Sequence, residues 1–510
     1  MAAEASRRAA FEAREGRIGV IDLGSNSIRL VIYERLSRSP APVFNERVLC
    51  GLGRGLQRSG KLSPEGTSRA LDNLARFMLL ARHMGVSRLD LLATAAVRDA
   101  SDGAAFVAEA SRRCHAAIRV LSGQEEARLS ALGVLSGMPE ADGVMGDLGG
   151  GSLELVALKR GEIGEQATLP LGPLRIMELG EGEPKRARGA VDAALAGLLW
   201  LESCAGRVFY AVGGAWRAIA RIHIEQSRYP LHVIHHYRVA REEMIDMCRL
   251  ITGLSRKSLE GMTSAVSRKR LETLPHAALV LHRVLRAAKP AEVVFSAQGI
   301  REGQLFSLLP EAVKREDPLI SAAGELALAD SRFEPIGDEL FHWTAPLFAG
   351  EDGGAARLRR AACHLSDIAW REHPDYRAEH ACLRILRLPI AGLDHPSRGF
   401  LALAVCVRYG GRAAGEEAKL ARMLLEPERI EQATRIGLAM RAGIAVSGGA
   451  PELLRATALA LEGDAITLLL PDQAASLAGE ETERRVEAVA QAFGRRAAIG
   501  TTPIRAVGRR

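Results

Sequence analysis

At 510 residues the chain is long enough for two to four domains with buried cores, and 47% hydrophobic and 25% charged residues are ordinary for a soluble globular protein. Aromatics at 4% argue against a surface that reads single-stranded nucleic acid by base stacking, while a net charge of +7 favours a polyanionic partner without selecting one. Cys50, Cys114, Cys204, Cys248, Cys363, Cys382 and Cys406 are odd in number and form no C-x-x-C pair, which points to reduced thiols and not to a disulfide frame or zinc site. No apolar run approaches the ~18–20 residues needed to cross a bilayer, so no membrane association is expected.

Residues 1–16 interleave arginine with Glu4, Glu12 and Glu15 and contain no apolar stretch. They read as a flexible lead-in, not a secretion signal, and a cytoplasmic location is expected. Next, Ile18-Gly19-Val20-Ile21-Asp22-Leu23-Gly24-Ser25-Asn26-Ser27 is a β-like run that delivers an aspartate into a Gly/Ser turn, and 28–33 returns as a second run. Gly51-Leu52-Gly53-Arg54-Gly55 looks like a dinucleotide loop, but the G-x-G-x-x-G spacing fails. Ser63-Pro64-Glu65 supplies an N-cap, a proline at N1 and an acid in the first turn. Leu71, Leu74, Phe77, Met78 and Ala81 share the face of the helix that follows, and Gly85 stops it. The run 89–93 predicts a buried strand, placing Thr94 and Arg98 at its carboxyl end, where open α/β sheets bind ligands. Residues 125–132 have helical composition and form the expected crossing to a second half.

There the opening pattern recurs: Val144-Met145-Gly146-Asp147-Leu148-Gly149-Gly150-Gly151-Ser152-Leu153-Glu154, returning over 153–157. At such turns the missing side chains let backbone N–H groups converge on anionic oxygens, and each aspartate is placed for a metal or its water. Two matching hairpins predict a duplicated fold that grips a phosphate chain between its halves. The β-like runs 208–212, ending in Gly213-Gly214, and 293–297, ending before Gly299, fit strand–turn–helix units lining the cleft. From 310 to 510 the pattern is mostly helical, clearest over 355–370, 416–425 and 428–442, with a break at Gly448-Gly449-Ala450-Pro451. No tandem repeat of 20–50 residues is present. Arg495, Arg496, Arg505, Arg509 and Arg510 form a basic tail that either touches a polyanion or is simply solvated.

Four segments narrow the assignment: Asp22-Leu23-Gly24-Ser25-Asn26-Ser27, Ala93-Thr94-Ala95-Ala96-Val97-Arg98-Asp99-Ala100, Ser122-Gly123-Gln124-Glu125-Glu126-Ala127-Arg128, and 147–154. In that order they closely resemble the exopolyphosphatase/guanosine pentaphosphate phosphatase family, within the actin-like, sugar-kinase-like and Hsp70-like superfamily. Leu169-Pro170-Leu171-Gly172-Pro173-Leu174-Arg175, Ala211-Val212-Gly213-Gly214-Ala215-Trp216 and Ser296-Ala297-Gln298-Gly299-Ile300-Arg301-Glu302-Gly303 fit its second half. The likeness covers roughly 17–308. It implies an α/β fold of two actin-like (ribonuclease H-like) lobes, 17–130 and 131–309, and a mostly α-helical, HD-like C-terminal domain, 310–510.

The resemblance also implies roles. Glu126 is the base that activates water; Glu125 is the alternative, because adjacent helix residues point ~100° apart and only one faces a given cleft. Asp147 and Glu154 bind or position Mg²⁺, directly or through water, with Asp22 contributing from the opposite loop. Asp22 as a turn cap and Glu154 as a solvated strand residue remain open. Gly24, Ser25, Asn26, Ser27, Gly149, Gly150, Gly151 and Ser152 bind phosphate oxygens. Arg98 offers a guanidinium fork to the phosphate, and Arg175 is a weaker version of the same idea; a surface arginine is the bland alternative for both.

Within the resemblance, the basic balance and the large C-terminal domain favour an exopolyphosphatase acting on inorganic polyphosphate. The alternative is a phosphatase converting guanosine pentaphosphate (pppGpp) to the tetraphosphate. Further off stand an actin-like sugar or acid kinase and a non-enzymatic protein, whether chaperone, filament or alarmone sensor. Nucleic acid is disfavoured, and a homodimer is the family expectation. His364, Asp367 and His380 resemble the metal-binding helices of HD phosphohydrolases, but Ser366 precedes Asp367 where the paired His-Asp is needed, so a metal-free relic is expected. Over 267–275 the Arg-Ala-Asp and glycine that many members carry are missing, which leaves substrate contacts of the second half open.

Overall fold

The computed structural model describes residues 16–180, 184–263, 266–330 and 332–502. The lead-in expected over 1–16 therefore lies outside the described residues except for Gly16, as do Arg505, Arg509 and Arg510 of the basic tail. The chain divides into two compact units, Met1–Arg315 and Glu316–Arg510, a few residues beyond the boundary expected at 309/310.

Within the first unit, β1 (Arg17–Leu23), β2 (Ser27–Tyr33), β3 (Pro42–Leu49), β4 (Val86–Ala93) and β5 (Ile118–Val120) form a sheet ordered β3-β2-β1-β4-β5. A second sheet holds β6 (Gly143–Leu148), β7 (Leu153–Lys159), β8 (Glu162–Leu169), β9 (Val208–Val212), β10 (Tyr237–Ala240) and β11 (Glu292–Phe295), ordered β10-β11-β9-β6-β7-β8. Each opens as an antiparallel meander and continues through parallel strands. The topology β3-β2-β1-β4-β5 thus returns as β8-β7-β6-β9-β11, with β10 added as an antiparallel edge. This is the duplicated α/β fold expected of two actin-like lobes.

Alternation along the strands splits their side chains between two cores. Ile21, Leu23, Ile28, Leu30 and Ile32 pack with Leu71, Leu74 and Phe77 of the helix Pro64–His83. On the other face Ile18, Val20, Val31 and Tyr33 pack with Ile300 and Leu305 of the helix Ile300–Ser307. A strand covered on both faces reads as a near-continuous apolar run, which is why β1 stands out in the sequence. Ser63 caps the helix as its sequence predicts, its Oγ accepting from the Gly66 N–H at 3.2 Å, and Gly85 turns the chain at φ +67° just beyond the end.

The helix Gly123–Gly137 crosses between the sheets, running past the boundary expected at 130/131. It lies against Ile300–Ser307 at a contact only glycine allows. A Cβ on Gly303 would stand 1.8 Å from the Leu129 carbonyl oxygen, and one on Gly133 would stand 2.1 Å from that of Gly299.

The second unit is mostly helical, with Gly353–His364, Arg377–Arg387, His395–Arg408 and Pro427–Ser447 as its main helices. The segment expected over 355–370 ends at His364, where the chain tightens into a 3-10 turn, Leu365–Asp367. The 416–425 segment is only a 3-10 turn, Glu416–Ala418, and a single helical turn, Lys419–Arg422. Pro427 opens the long helix at its first turn, where its missing N–H costs nothing. A three-stranded sheet, β12 (Ala458–Glu462), β13 (Ala465–Pro471) and β14 (Arg496–Thr502), joins the mostly helical unit at this end, a sheet that the sequence pattern did not single out.

Candidate active site

The two hairpins meet. In each, the first glycine N–H bonds the carbonyl of the closing serine, Gly24 to Ser27 at 3.1 Å and Gly149 to Ser152 at 3.0 Å, so the turns are alike. They approach so closely that a Cβ on Gly150 would lie 3.1 Å from Ser25 Cβ, and one on Gly151 2.9 Å from Ser25 Oγ. The cavity between them, about 180 Å³, is lined by Asp22, Gly24, Ser25, Asn26, Ser27, Gly149, Gly150 and Ser152, together with Asp147, Glu154 and Glu126. Gly151 packs on Ser25 and stands outside this lining, as do Arg98 and Arg175.

Register fixes the acids. Asp147 lies directly across from Glu154 on β6 and β7, and Asp22 lies across from Arg29 on β1 and β2. Glu154 is 1% exposed and its Oε1 meets no hydrogen-bond donor. Burial, then the charges of Glu126 and Asp147, hold its carboxyl well above the usual range. Burial likewise raises Asp147, against the hydroxyl of Ser130, which donates to Asp147 Oδ2 at 2.5 Å. Burial raises Asp22 as well, against the pull of Arg301, whose Nη1 lies 3.4 Å from Asp22 Oδ2.

The two adjacent glutamates part as helix geometry requires. Glu125 completes a capping box, its Oε2 accepting from the Ser122 N–H at 2.9 Å, and hydrogen bonds from Arg119 and Ser122 hold its carboxyl down at about 2. Glu126, 7% exposed, faces the cavity. Arg98 Nη1 donates to Glu126 Oε2 at 2.8 Å and to the Leu121 carbonyl at 3.0 Å. Burial outweighs this partner, with Asp147 and Asp22 adding to it, and pushes the Glu126 carboxyl up to about 7. Arg175 bonds Asp99, which in turn accepts from Arg98 Nε at 3.2 Å.

Sequence reasoning missed much of the basic lining. Arg29, Arg47, Arg217, Arg270 and Arg301 all face the cavity. Arg217 lies in the first turn of the helix Gly214–Gln226 and donates to the Ala297 carbonyl at 3.1 Å. Burial and the neighbouring Arg301 and Arg29 push its guanidinium down to about 10. Three guanidinia that repel one another in a desolvated cleft form a site for an anion. Among the described residues no three His, Cys, Asp or Glu side chains converge to chelate an ion. Glu154 Oε1, which meets no donor and stands beside Asp147, nonetheless fits one hard cation that takes its other ligands from water and phosphate.

The HD-like positions of the second unit do not converge. Arg332 and Arg408 hold Asp367 at 3.2 and 2.9 Å, His364 lies 3.4 Å from Asp338, and His380 lies 3.0 Å from Glu372.

A duplicated α/β scaffold with phosphate-type turns facing each other across acids and arginines defines the actin-like phosphohydrolase and phosphotransferase class. The model of the Ppx/GppA phosphatase family matches residues 31–312, and that of the exopolyphosphatase C-terminal region matches 319–499. The chain belongs to the Ppx/GppA phosphatase family. It is 26% identical over 448 residues to retrograde regulation protein 2 of Saccharomyces cerevisiae, covering 80% of this chain and 75% of that one. It is 27% identical over 307 residues to exopolyphosphatase 1 of Mycobacterium tuberculosis, covering 58% and 88%. The crystal structure of an exopolyphosphatase from Cytophaga hutchinsonii superposes with a TM-score of 0.52 at 22% identity, covering 57% of this chain and 97% of that one, a likeness of fold. Among the described residues no helix is long and apolar enough to cross a membrane.

Proposed function

We propose that the chain is an exopolyphosphatase that releases orthophosphate from the end of inorganic polyphosphate. The observation that carries this reading is Glu126, buried in the wall of the cavity that both phosphate-type turns line, with its carboxyl pushed up to about 7. A general base works best with a pKa near the ambient pH. Glu126 takes a proton from water as the water oxygen attacks the terminal phosphorus, and the bridging oxygen leaves with its bonding pair on the shortened chain. Backbone N–H groups within the two turns, other than those of Gly24 and Gly149 that close them, bind the oxygens of the phosphoryl group in transfer. Arg29, Arg217 and Arg301 neutralise the phosphates that stay behind. Asp147 and Glu154 would hold Mg²⁺, with Asp22 contributing from the opposite turn, and the ion would supply charge neutralisation at the phosphate.

Cytoplasmic location and a homodimer belong to the same proposal. The second reading, pppGpp phosphohydrolysis, needs the same cleft and draws on the family's own description. The long match to a yeast protein named for regulation supports a third, non-catalytic reading; the retained acids favour catalysis. Purified protein incubated with Mg²⁺ and long polyphosphate, pppGpp or ATP separates these. Phosphate release from polyphosphate, lost in Glu126→Gln, supports the proposal. Release from pppGpp alone selects the second reading, and release from none the third.

A further inference from the structure

The chain of contacts that ends on Glu126 begins on the other lobe. Arg175 and Glu178 lie three residues apart on the helix Pro173–Leu179 and so share a face. The start of this helix is fused to the second phosphate-type turn. The Leu174 N–H bonds the Gly150 carbonyl at 3.1 Å, and a Cβ on Gly172 would lie 2.4 Å from the Gly150 carbonyl oxygen. Both side chains reach the first lobe: Arg175 pairs with Asp99, and Glu178 Oε1 accepts from the Gly55 N–H at 2.9 Å. The 51–55 loop is tied in turn to the first turn, where the Gly53 N–H bonds the Ser25 carbonyl at 2.8 Å.

We infer that Arg175 and Asp99 form an interlobe latch that positions the catalytic glutamate: seating the second turn on the first brings Arg175 to Asp99, Asp99 orients Arg98, and Arg98 orients Glu126. This deepens the proposed phosphohydrolase reading and rests on it. Arg98 has two anionic neighbours, Asp99 at 3.2 Å from Nε and Glu126 at 2.8 Å from Nη1. Asp99, itself held by Arg175, anchors Nε of that guanidinium and so leaves Nη1 directed at Glu126. Neither Arg98 nor Arg175 lines the cavity, so both act through another group and are positioning residues. The latch thereby ties the placing of the base to the seating of the second turn on the first.

The test uses the full chain with Mg²⁺ and polyphosphate. Arg175→Ala and Asp99→Asn should each lower kcat about 30- to 100-fold, the scale of a misplaced catalytic group, with KM within about threefold. The double variant should lose no more than the worse single, because both break one contact, and Arg175→Lys should recover part of the loss. A kcat within twofold of wild type, losses that multiply, or a loss confined to KM would overturn the latch even while Glu126→Gln abolishes turnover. A readout free of turnover uses spin labels at Gln57→Cys and Lys185→Cys, both exposed, the seven native cysteines being buried. Inorganic tripolyphosphate should narrow the interlobe distance distribution in wild type and not in Arg175→Ala. The same narrowing in both overturns the latch. If no protein releases phosphate, the functional reading fails and this distance measurement alone decides the latch.

Discussion

Replacing Glu126 by glutamine should stabilise the protein while stopping its chemistry. Burial, opposed by Arg98 and reinforced by Asp147 and Asp22, pushes the Glu126 carboxyl from 4.5 up to about 7. A folded pKa above the unfolded one means that the native state holds the proton more tightly and that ionisation costs stability. The cost is absent below pH 4.5, grows between pH 4.5 and 7, and is complete above 7. At ~1.36 kcal/mol per pH unit, that gap sets a ceiling of roughly 3 kcal/mol. Glutamine keeps the shape and an oxygen for Arg98 Nη1 but brings no charge to bury. Urea unfolding followed by the fluorescence of buried Trp216 should show Glu126→Gln more stable than wild type by about 1–3 kcal/mol at pH 8, the gain shrinking below about 1 kcal/mol at pH 5. Turnover should fall by about 10²–10⁴. A variant no more stable at pH 8, or one with the same advantage at both pH values, would refute the reasoning.

Because the base must be ionised, kcat/KM should drop about tenfold per pH unit below pH 7; a flat profile between pH 5 and 7 would count against Glu126. Gly303→Ala places its Cβ 1.8 Å from the Leu129 carbonyl oxygen, so it should cost roughly 1–3 kcal/mol through forced separation of the two crossing helices. An unchanged Tm would mean the helices have room there. Asp367→Ala removes the carboxylate shared by Arg332 and Arg408, and unfolding of the 316–510 unit should come roughly 3–5 kcal/mol sooner. A silent substitution would mean that water satisfies both guanidinia.

What the sequence disclosed was local. Each hairpin carries its own signal, an apolar run, an aspartate and a turn of missing side chains, within a dozen residues. Glu126 was legible through its motif, and its separation from Glu125 follows from the Ser122-x-x-Glu125 capping-box spacing, a signal written in four consecutive residues. The arginines were not legible, because Arg29, Arg217 and Arg301 belong to a strand and two helices that only the duplicated topology brings together. Arg98 and Arg175 show the complementary limit: an arginine near a phosphate motif can face phosphate or a carboxylate, and here both face Asp99. The sheet of β12 to β14 went unread because its first strand, Ala458-Leu459-Ala460-Leu461-Glu462, has no β-branched or aromatic residue, and Gly500 interrupts the last, Arg496–Thr502.

The duplicated hairpins differ in one respect that bears on the proposed reaction. Opposite its aspartate the first carries Arg29 and the second carries Glu154, on equivalent positions of equivalent strands. One scaffold therefore presents a guanidinium beside Asp22 and a second carboxyl beside Asp147. Two acidic hairpins would face each other across a cleft of about 180 Å³ and repel the substrate as well as one another. Two basic ones would hold polyphosphate but leave nothing to bind a metal ion or to balance Glu126. The proposed cleavage uses both environments: guanidinia for the phosphates that stay, carboxyls for the cation and water at the phosphoryl group that goes. In that reaction the departure from internal symmetry, at Arg29 against Glu154, would give the cleft its direction.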